Sequence, residues 1–367
     1  MKQFIFLLIL SLSVACETKE KPSFTLQGQI ENPEHEYLLL LEESNIEKKE
    51  TTFIDTLFLD EMGRFKAEFH IEPHFYRLIV NEKLSIPLVI DHGQNVQVRI
   101  NSTDTKIEGS KDTDLLLNYE KFRASSLERL VKTIRRKITE ENQKPNPNAK
   151  LIDSLGKLEI HNYDLHLEEL NAFINSNMRN SLALYPSSIR WKGENNLAFY
   201  DSLVLELENA NQNYKIIERL REKVTRLQQT SIGGTAPDIK MNTTEGNEKS
   251  LYALHDQYTL IEFWASWCGP CRRESPVLNE LYLTYKDQGF NIYAVSLDDR
   301  ERNWLHAIQK DQRTYTNVSS LEGFKTPAAY NYAVTALPMN FLIDKEGKII
   351  AKDIHGEELI SLVKELF

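Results

Sequence analysis

The chain has 367 residues, with 44 basic against 54 acidic side chains, a formal charge of −10, and three cysteines. No basic cluster alternates with aromatics, so nucleic acid is not an expected partner. Without Gly-rich phosphate loops or a serine elbow, nucleotide-dependent and hydrolase functions have no support. The length suits two or three domains rather than one.

Met1-Lys2-Gln3 is a short basic start, Phe4 to Leu12 is an apolar core of signal-peptide length, and Ser13-Val14-Ala15-Cys16 is a small-residue cleavage site. The apolar run is too short to span a bilayer as a helix. Cys16 at the first mature position resembles the cysteine of a lipobox, which implies that it is lipidated. A plain signal-peptidase site would be cut at the same bond, and the two readings differ only in whether Cys16 carries lipid. A free N-terminal thiol gives a secreted protein nothing obvious, so the expectation is a signal peptide over 1–15 and a lipidated tether over 16–22.

From Phe24 to about Gly109 the pattern is all-β. Strands are predicted at Phe24 to Ile30, Tyr37 to Leu41, Phe53 to Leu59, Arg64 to Phe69, Tyr76 to Val80 and Val96 to Ile100, with a turn at Asp60-Glu61-Met62-Gly63. Short strands separated by Gly, Asn and Pro point to a small sandwich or barrel over 23–109. The strand–Asp-x-x-Gly–strand rhythm, at this early place in the domain order, resembles a domain of unknown function found in envelope lipoproteins.

The period turns helical over 110–232. Leu127, Leu130, Val131, Ile134 and Ile138 fall on one helical face, and Lys144-Pro145-Asn146-Pro147-Asn148 ends that helix. Further helices are predicted over Leu151 to Met178, Leu182 to Tyr185, Leu197 to Leu207 and Tyr214 to Leu227. Their apolar stripes read as packing. His161, His166 and His255 lack metal-ligand spacing, and no metal site is expected.

The most informative stretch is Phe263-Trp264-Ala265-Ser266-Trp267-Cys268-Gly269-Pro270-Cys271. Tyr258 to Trp264 reads as a buried strand, and Arg272-Arg273-Glu274 followed by Val277, Leu278, Leu281 and Tyr285 reads as an amphipathic helix. Cys268 therefore stands at a helix N-terminus, where unpaired N–H groups and the macrodipole favour a thiolate that solvent can reach. Cys271, one turn on, shares its face and is close enough for a disulfide. A c-type haem site needs His at position 272, which is Arg; a structural zinc site needs a second ligand pair, which the chain lacks. An inert structural disulfide remains as the bland alternative.

Residues about 233 to 367 resemble a thioredoxin fold of the TlpA/ResA type, related to the AhpC/TSA proteins and found in membrane-tethered thiol–disulfide oxidoreductases of bacterial envelopes. The resemblance is carried by the dithiol segment, by Gly234-Thr235-Ala236-Pro237-Asp238, by Gly289 to Asp298, and by Ala336-Leu337-Pro338-Met339-Asn340-Phe341-Leu342-Ile343-Asp344 with Glu346-Gly347-Lys348-Ile349. It implies an α/β thioredoxin fold with an extra helix and strand within Arg300 to Ser319. It also implies a cis-proline at Pro338, a substrate groove formed by Trp267, Gly269, Pro270 and Leu337, and a redox-active Cys268–Cys271 disulfide.

Glu262 stands where thioredoxins carry a buried acid behind the dithiol. In an apolar strand its carboxyl would titrate high enough to act as a base, unless it points to solvent or to Lys or Arg. The implied mechanism has Cys268 attacking a protein disulfide, Cys271 resolving the mixed disulfide and Glu262 assisting the proton transfer. No cofactor is implied; electrons come from an upstream membrane or envelope dithiol donor. The Gly-Pro dipeptide resembles reducing thioredoxins, so reduction is the expected direction. Oxidase or isomerase activity remains open, as does a tethered binding or sensing lipoprotein that uses the thioredoxin fold as scaffold.

Overall fold

A computed structural model describes residues 23–191, 196–210, 214–254 and 256–367; the signal segment, Cys16 with its tether, and His255 lie outside these. The first region holds β1 (Phe24–Ile30), β2 (Tyr37–Asn45), β3 (Glu50–Phe58), β4 (Arg64–Phe69), β5 (His74–Ile79), β6 (Ser85–Ile90), β7 (Asn95–Ile100) and β8 (Thr105–Glu108). They form two four-stranded sheets, ordered β4-β1-β7-β8 and β3-β2-β5-β6. Leu26, Val96 and Val98 of one sheet pack against Leu40, Leu78 and Leu88 of the other, which makes the region a sandwich rather than a barrel. The turn before β4 is closed by Asp60, whose Oδ1 accepts the N–H groups of Met62 and Arg64, while Gly63 takes the positive φ of 70°.

Two strands were absent from the sequence expectation, β6 and β8. Pro87 disguises β6, but a proline is tolerated there because β6 is the edge of its sheet. Its free edge is covered by the next element. Ser110, the N-cap of α1 (Lys111–Leu127), donates to the Val89 carbonyl at 2.5 Å, and the Val89 N–H donates to Thr113 Oγ1 at 2.9 Å. Val89 and Phe75 face the helices while Leu88 and Ile90 face the sandwich interior, so this sheet is buried on both faces and loses the alternation that marks a half-exposed strand.

The helical region continues through a π-helical stretch (Glu128–Lys132) to α2 (Thr133–Asn142), then α3 (Ala149–Asn177), α4 (Leu184–Ser187), α5 (Leu197–Ala210) and α6 (Lys215–Gln229). Of the expected stripe, Val131 and Ile134 are buried and Leu127, Leu130 and Ile138 are half-buried. Pro186 lies inside the short α4 rather than ending it, at a first-turn position where a missing N–H costs little. Ile216, Leu220, Val224 and Leu227 put one face of α6 into the core shared with Phe75 and Val89.

The last region comprises β9 (Lys240–Thr243), β10 (Glu248–Ser250), β11 (Tyr258–Trp264), α7 (Gly269–Tyr285), β12 (Phe290–Ser296), α8 (Glu301–Lys310), β13 (Thr316–Ser319), α9 (Pro327–Asn331), β14 (Met339–Ile343), β15 (Ile349–Lys352) and α10 (Gly356–Leu366). The seven strands order as β10-β9-β13-β12-β11-β14-β15, with β11 parallel to β12 and antiparallel to β14. This is the expected thioredoxin fold, and α8 with β13 supplies the extra helix and strand within 300–319. Because β11 is covered on both faces, nearly every side chain in it is buried. Its end therefore delivers the dithiol from a rigid base.

Candidate active site

Strand β11 ends at Trp264, and Ala265 to Cys268 carry the chain into α7. The loop is pinned by Asp298, a buried side chain just past β12: it accepts the Ser266 N–H at 2.9 Å, the Ser266 hydroxyl at 2.5 Å and the Ser296 hydroxyl at 2.7 Å. Cys268 is the N-cap residue of α7, with extended backbone, and its sulfur accepts the Cys271 N–H at 3.3 Å. The two cysteines form a disulfide with their Cα atoms 5.4 Å apart. Helix geometry accounts for this spacing, since residues a turn apart share a face.

Cys268 is less open than the sequence suggested. In the disulfide form it is only 4% exposed and Cys271 is 0% exposed. Of the two, Cys268 is the less completely buried. Gly269 and Pro270 are exposed beside it, and Trp267 is 59% exposed. The Leu337–Pro338 peptide is cis, and both residues are half-buried. Phe324, absent from the sequence reading, adds a second exposed ring 6.2 Å from that of Trp267.

Behind the dithiol, Glu262 is buried, in register with Ala294 on one side and Asn340 on the other. Burial pushes its carboxyl above the ordinary range, against the pull of an adjacent cation. That cation is Arg313, from the turn between α8 and β13, whose side chain is fully buried. Nη1 donates to Glu262 Oε2 at 2.8 Å, and Nη2 to Glu262 Oε1 at 3.2 Å, to Ser275 Oγ at 2.7 Å and to the Cys271 carbonyl at 3.3 Å. The guanidinium also lies 3.6 Å from the centre of the Trp264 ring. The acid thus points inward, as expected, and also to an arginine. Glu262 itself is the only sequence signal for this cation, since a carboxylate in an apolar strand needs a partner.

On the other flank, Glu274 of α7 accepts from His355 Nδ1 at 2.8 Å and from the Gly356 N–H at 3.1 Å, which ties the start of α10 to the helix that carries the dithiol. His166 is buried, with Nδ1 2.8 Å from Ser126 Oγ, while His161 is exposed. Among the described residues no group of three or more His, Cys, Asp or Glu is placed to hold a metal ion.

Residues 232–352 match the AhpC/TSA family, and residues 24–116 match a domain of unknown function, DUF4369. The thiol–disulfide oxidoreductase ResA of Geobacillus thermodenitrificans is 36% identical over 119 residues, which is 32% of this chain and 67% of that protein. ResA of Bacillus cereus is 35% identical over 35% of this chain and 71% of its own. The chain belongs to the ResA-type thiol–disulfide oxidoreductases. The thioredoxin domain of a thiol–disulfide oxidoreductase from Bacteroides vulgatus is 35% identical over 37% of this chain and 97% of that one, with a TM-score of 0.36. In this oxidoreductase the ResA-like part is joined to a β-sandwich and a helical region, both ahead of it in the chain.

Proposed function

We propose that Cys268 and Cys271 are the exchanging pair and that this oxidoreductase works as a reductase of protein disulfides in the bacterial envelope. The observation that carries the reading is the placement of Cys268 as N-cap of α7, with its sulfur already accepting a helix N–H. In the reduced protein that position stabilises a thiolate. The Cys268 thiolate attacks a substrate disulfide, a Cys268–substrate disulfide forms, and the other substrate sulfur leaves as thiolate and takes a proton from water. Cys271 then gives its proton to Glu262 and attacks the Cys268 sulfur, which releases the second substrate thiolate. The substrate gains two electrons and the Cys268–Cys271 disulfide is left. A second protein dithiol on the membrane or in the envelope restores the pair by the same exchange, with no cofactor.

Trp267, Gly269 and Pro270, adjoining Cys268 in the chain, form with Leu337 and the cis-linked Pro338 the groove for an extended substrate segment, the backbone beside Pro338 pairing with it. Cys16, acylated at the start of the mature chain, holds the protein at a membrane surface. Among the described residues no helix is long and apolar enough to cross a membrane. The direction of exchange is tested by the reduction potential of the couple. A reductase has a value near that of thioredoxin, about −270 mV, whereas a value near about −120 mV would mark an oxidase.

A further inference from the structure

Arg313 is buried between the dithiol helix and the central strand, and its position is built rather than incidental. The turn that carries it is fastened to α7 from outside: Arg272 donates to both carboxylate oxygens of Asp311 at 2.7 Å, and Asn279 Nδ2 donates to the Asp311 carbonyl at 2.9 Å. The Arg313 N–H is held by the Ile308 carbonyl at 3.1 Å. From there the fork reaches Glu262 on β11 and the Cys271 carbonyl and Ser275 hydroxyl on α7 at once. One cation thus joins the buried acid to the backbone of the inner cysteine.

We propose that Arg313 is a positioning residue for the resolving step: its fork keeps Glu262 an ionised proton acceptor, fixed against the backbone of Cys271. The inference rests on the reading of Cys271 as the resolving thiol and Glu262 as its base. A carboxyl sealed from water is driven to its neutral form, and a neutral carboxyl cannot take the Cys271 proton. The other charged or titratable groups that face Glu262 do not supply the missing field. Glu274 on α7 opposes ionisation, His355 ahead of α10 favours it more weakly than Arg313, and Tyr315 at the start of β13 has its own hydroxyl pushed well above the ordinary range. Asp311 faces Arg313 and is matched by Arg272. Among the described residues, Arg313 is the group that both neutralises the carboxylate and binds it directly.

The test mixes reduced protein with the symmetric disulfide of thionitrobenzoate in stopped flow. Attack by Cys268 releases one thionitrobenzoate, and resolution by Cys271 releases the second. In the parent, the second phase falls on the acid side as Glu262 gains a proton. In Arg313→Met this acid limb moves up by roughly 1–3 pH units, the shift that one adjacent opposite charge produces. Arg313→Lys brings it back toward the parent, and the first phase keeps its own pH dependence in every variant. Should Arg313→Met fail to fold, Arg313→Gln, which keeps donors for Glu262 and Ser275 but no charge, gives the same readout. A second-phase limb unmoved in the neutral variants overturns the role of Arg313. If the second phase survives Cys271→Ser, the exchange reading fails instead.

Discussion

His355 Nδ1 lies 2.8 Å from Glu274 Oε2, and its Nε2 lies 3.3 Å from Asp353 Oδ1, so one imidazole bridges the entry to α10 and the helix that carries the dithiol. Hydrogen bonds donated to Asp353 and Glu274 hold the charged imidazole against partial burial and raise its pKa from 6.5 to about 9. A group whose folded pKa lies above its unfolded one stabilises the fold fully below the unfolded value and loses that contribution as pH passes the folded one. Thermal stability is therefore expected to be level with respect to this group below pH 6.5 and to decline toward pH 9. His355→Gln should flatten that decline. Melting curves of both proteins across the window check it, and parallel curves contradict it.

Glu47, beyond β2, binds two buried cations of α6: Lys223 at 2.8 Å, and Arg226. Arg226 reaches onward to the Tyr330 hydroxyl in α9 at 2.8 Å, with its guanidinium 3.8 Å from the centre of that ring. Three regions of the chain meet here. Burial, helped by the neighbouring Arg226 charge, pushes the Lys223 amine below its ordinary range, and Glu47 opposes that shift. Removing the shared anion leaves two cations out of water, so Glu47→Gln should destabilise the protein by about 3 kcal/mol. Urea unfolding measures this, and a loss under about 1 kcal/mol, the scale of an exposed pair, would show that water reaches the site.

Glu262→Gln should slow release of the second thionitrobenzoate on the order of 10²-fold near neutral pH, the lower end of what a positioned base supplies. Arg313 would keep Ser275 and the Cys271 carbonyl as acceptors, so the fold persists at reduced stability. Equal rates in mutant and parent from about pH 6 to 9 would make Glu262 a structural residue only.

How much of this was legible in the sequence depended on whether the cause was local. Tyr258 to Trp264 is an apolar and aromatic run apart from Thr259 and Glu262, and the helix after it shows its period, so the dithiol could be placed at their junction. Strand β6 was hidden because Pro87 argues against a strand and burial on both faces removes alternation. Strand β8, Thr-Lys-Ile-Glu, is too short and too polar to stand out, and only its pairing with β7 defines it. The need for a cation could be inferred from Glu262, but its identity could not. Arg313 is 51 residues away in sequence, and 44 basic residues were available. Asp298 and Glu274 likewise gain their roles only when separate elements meet.

The anchor is tested by mass. On the proposed cleavage before Cys16, the mature protein is expected to carry lipid and to fractionate with membranes, and Cys16→Ser should release it or leave it unprocessed. An unlipidated Cys16 in the native host would exclude the anchor.

The most direct test of the central claim traps the partners of each cysteine. Cys268 caps α7 and Cys271 is sealed beneath it, so the first should form the intermolecular bond and the second should break it. Cys271→Ser is expected to accumulate mixed disulfides with envelope proteins, seen as bands on non-reducing gels that vanish with a reductant. Cys268→Ser should accumulate almost none and lose disulfide-reductase activity. Equal trapping by both variants, or trapping by Cys268→Ser alone, would contradict the assigned roles.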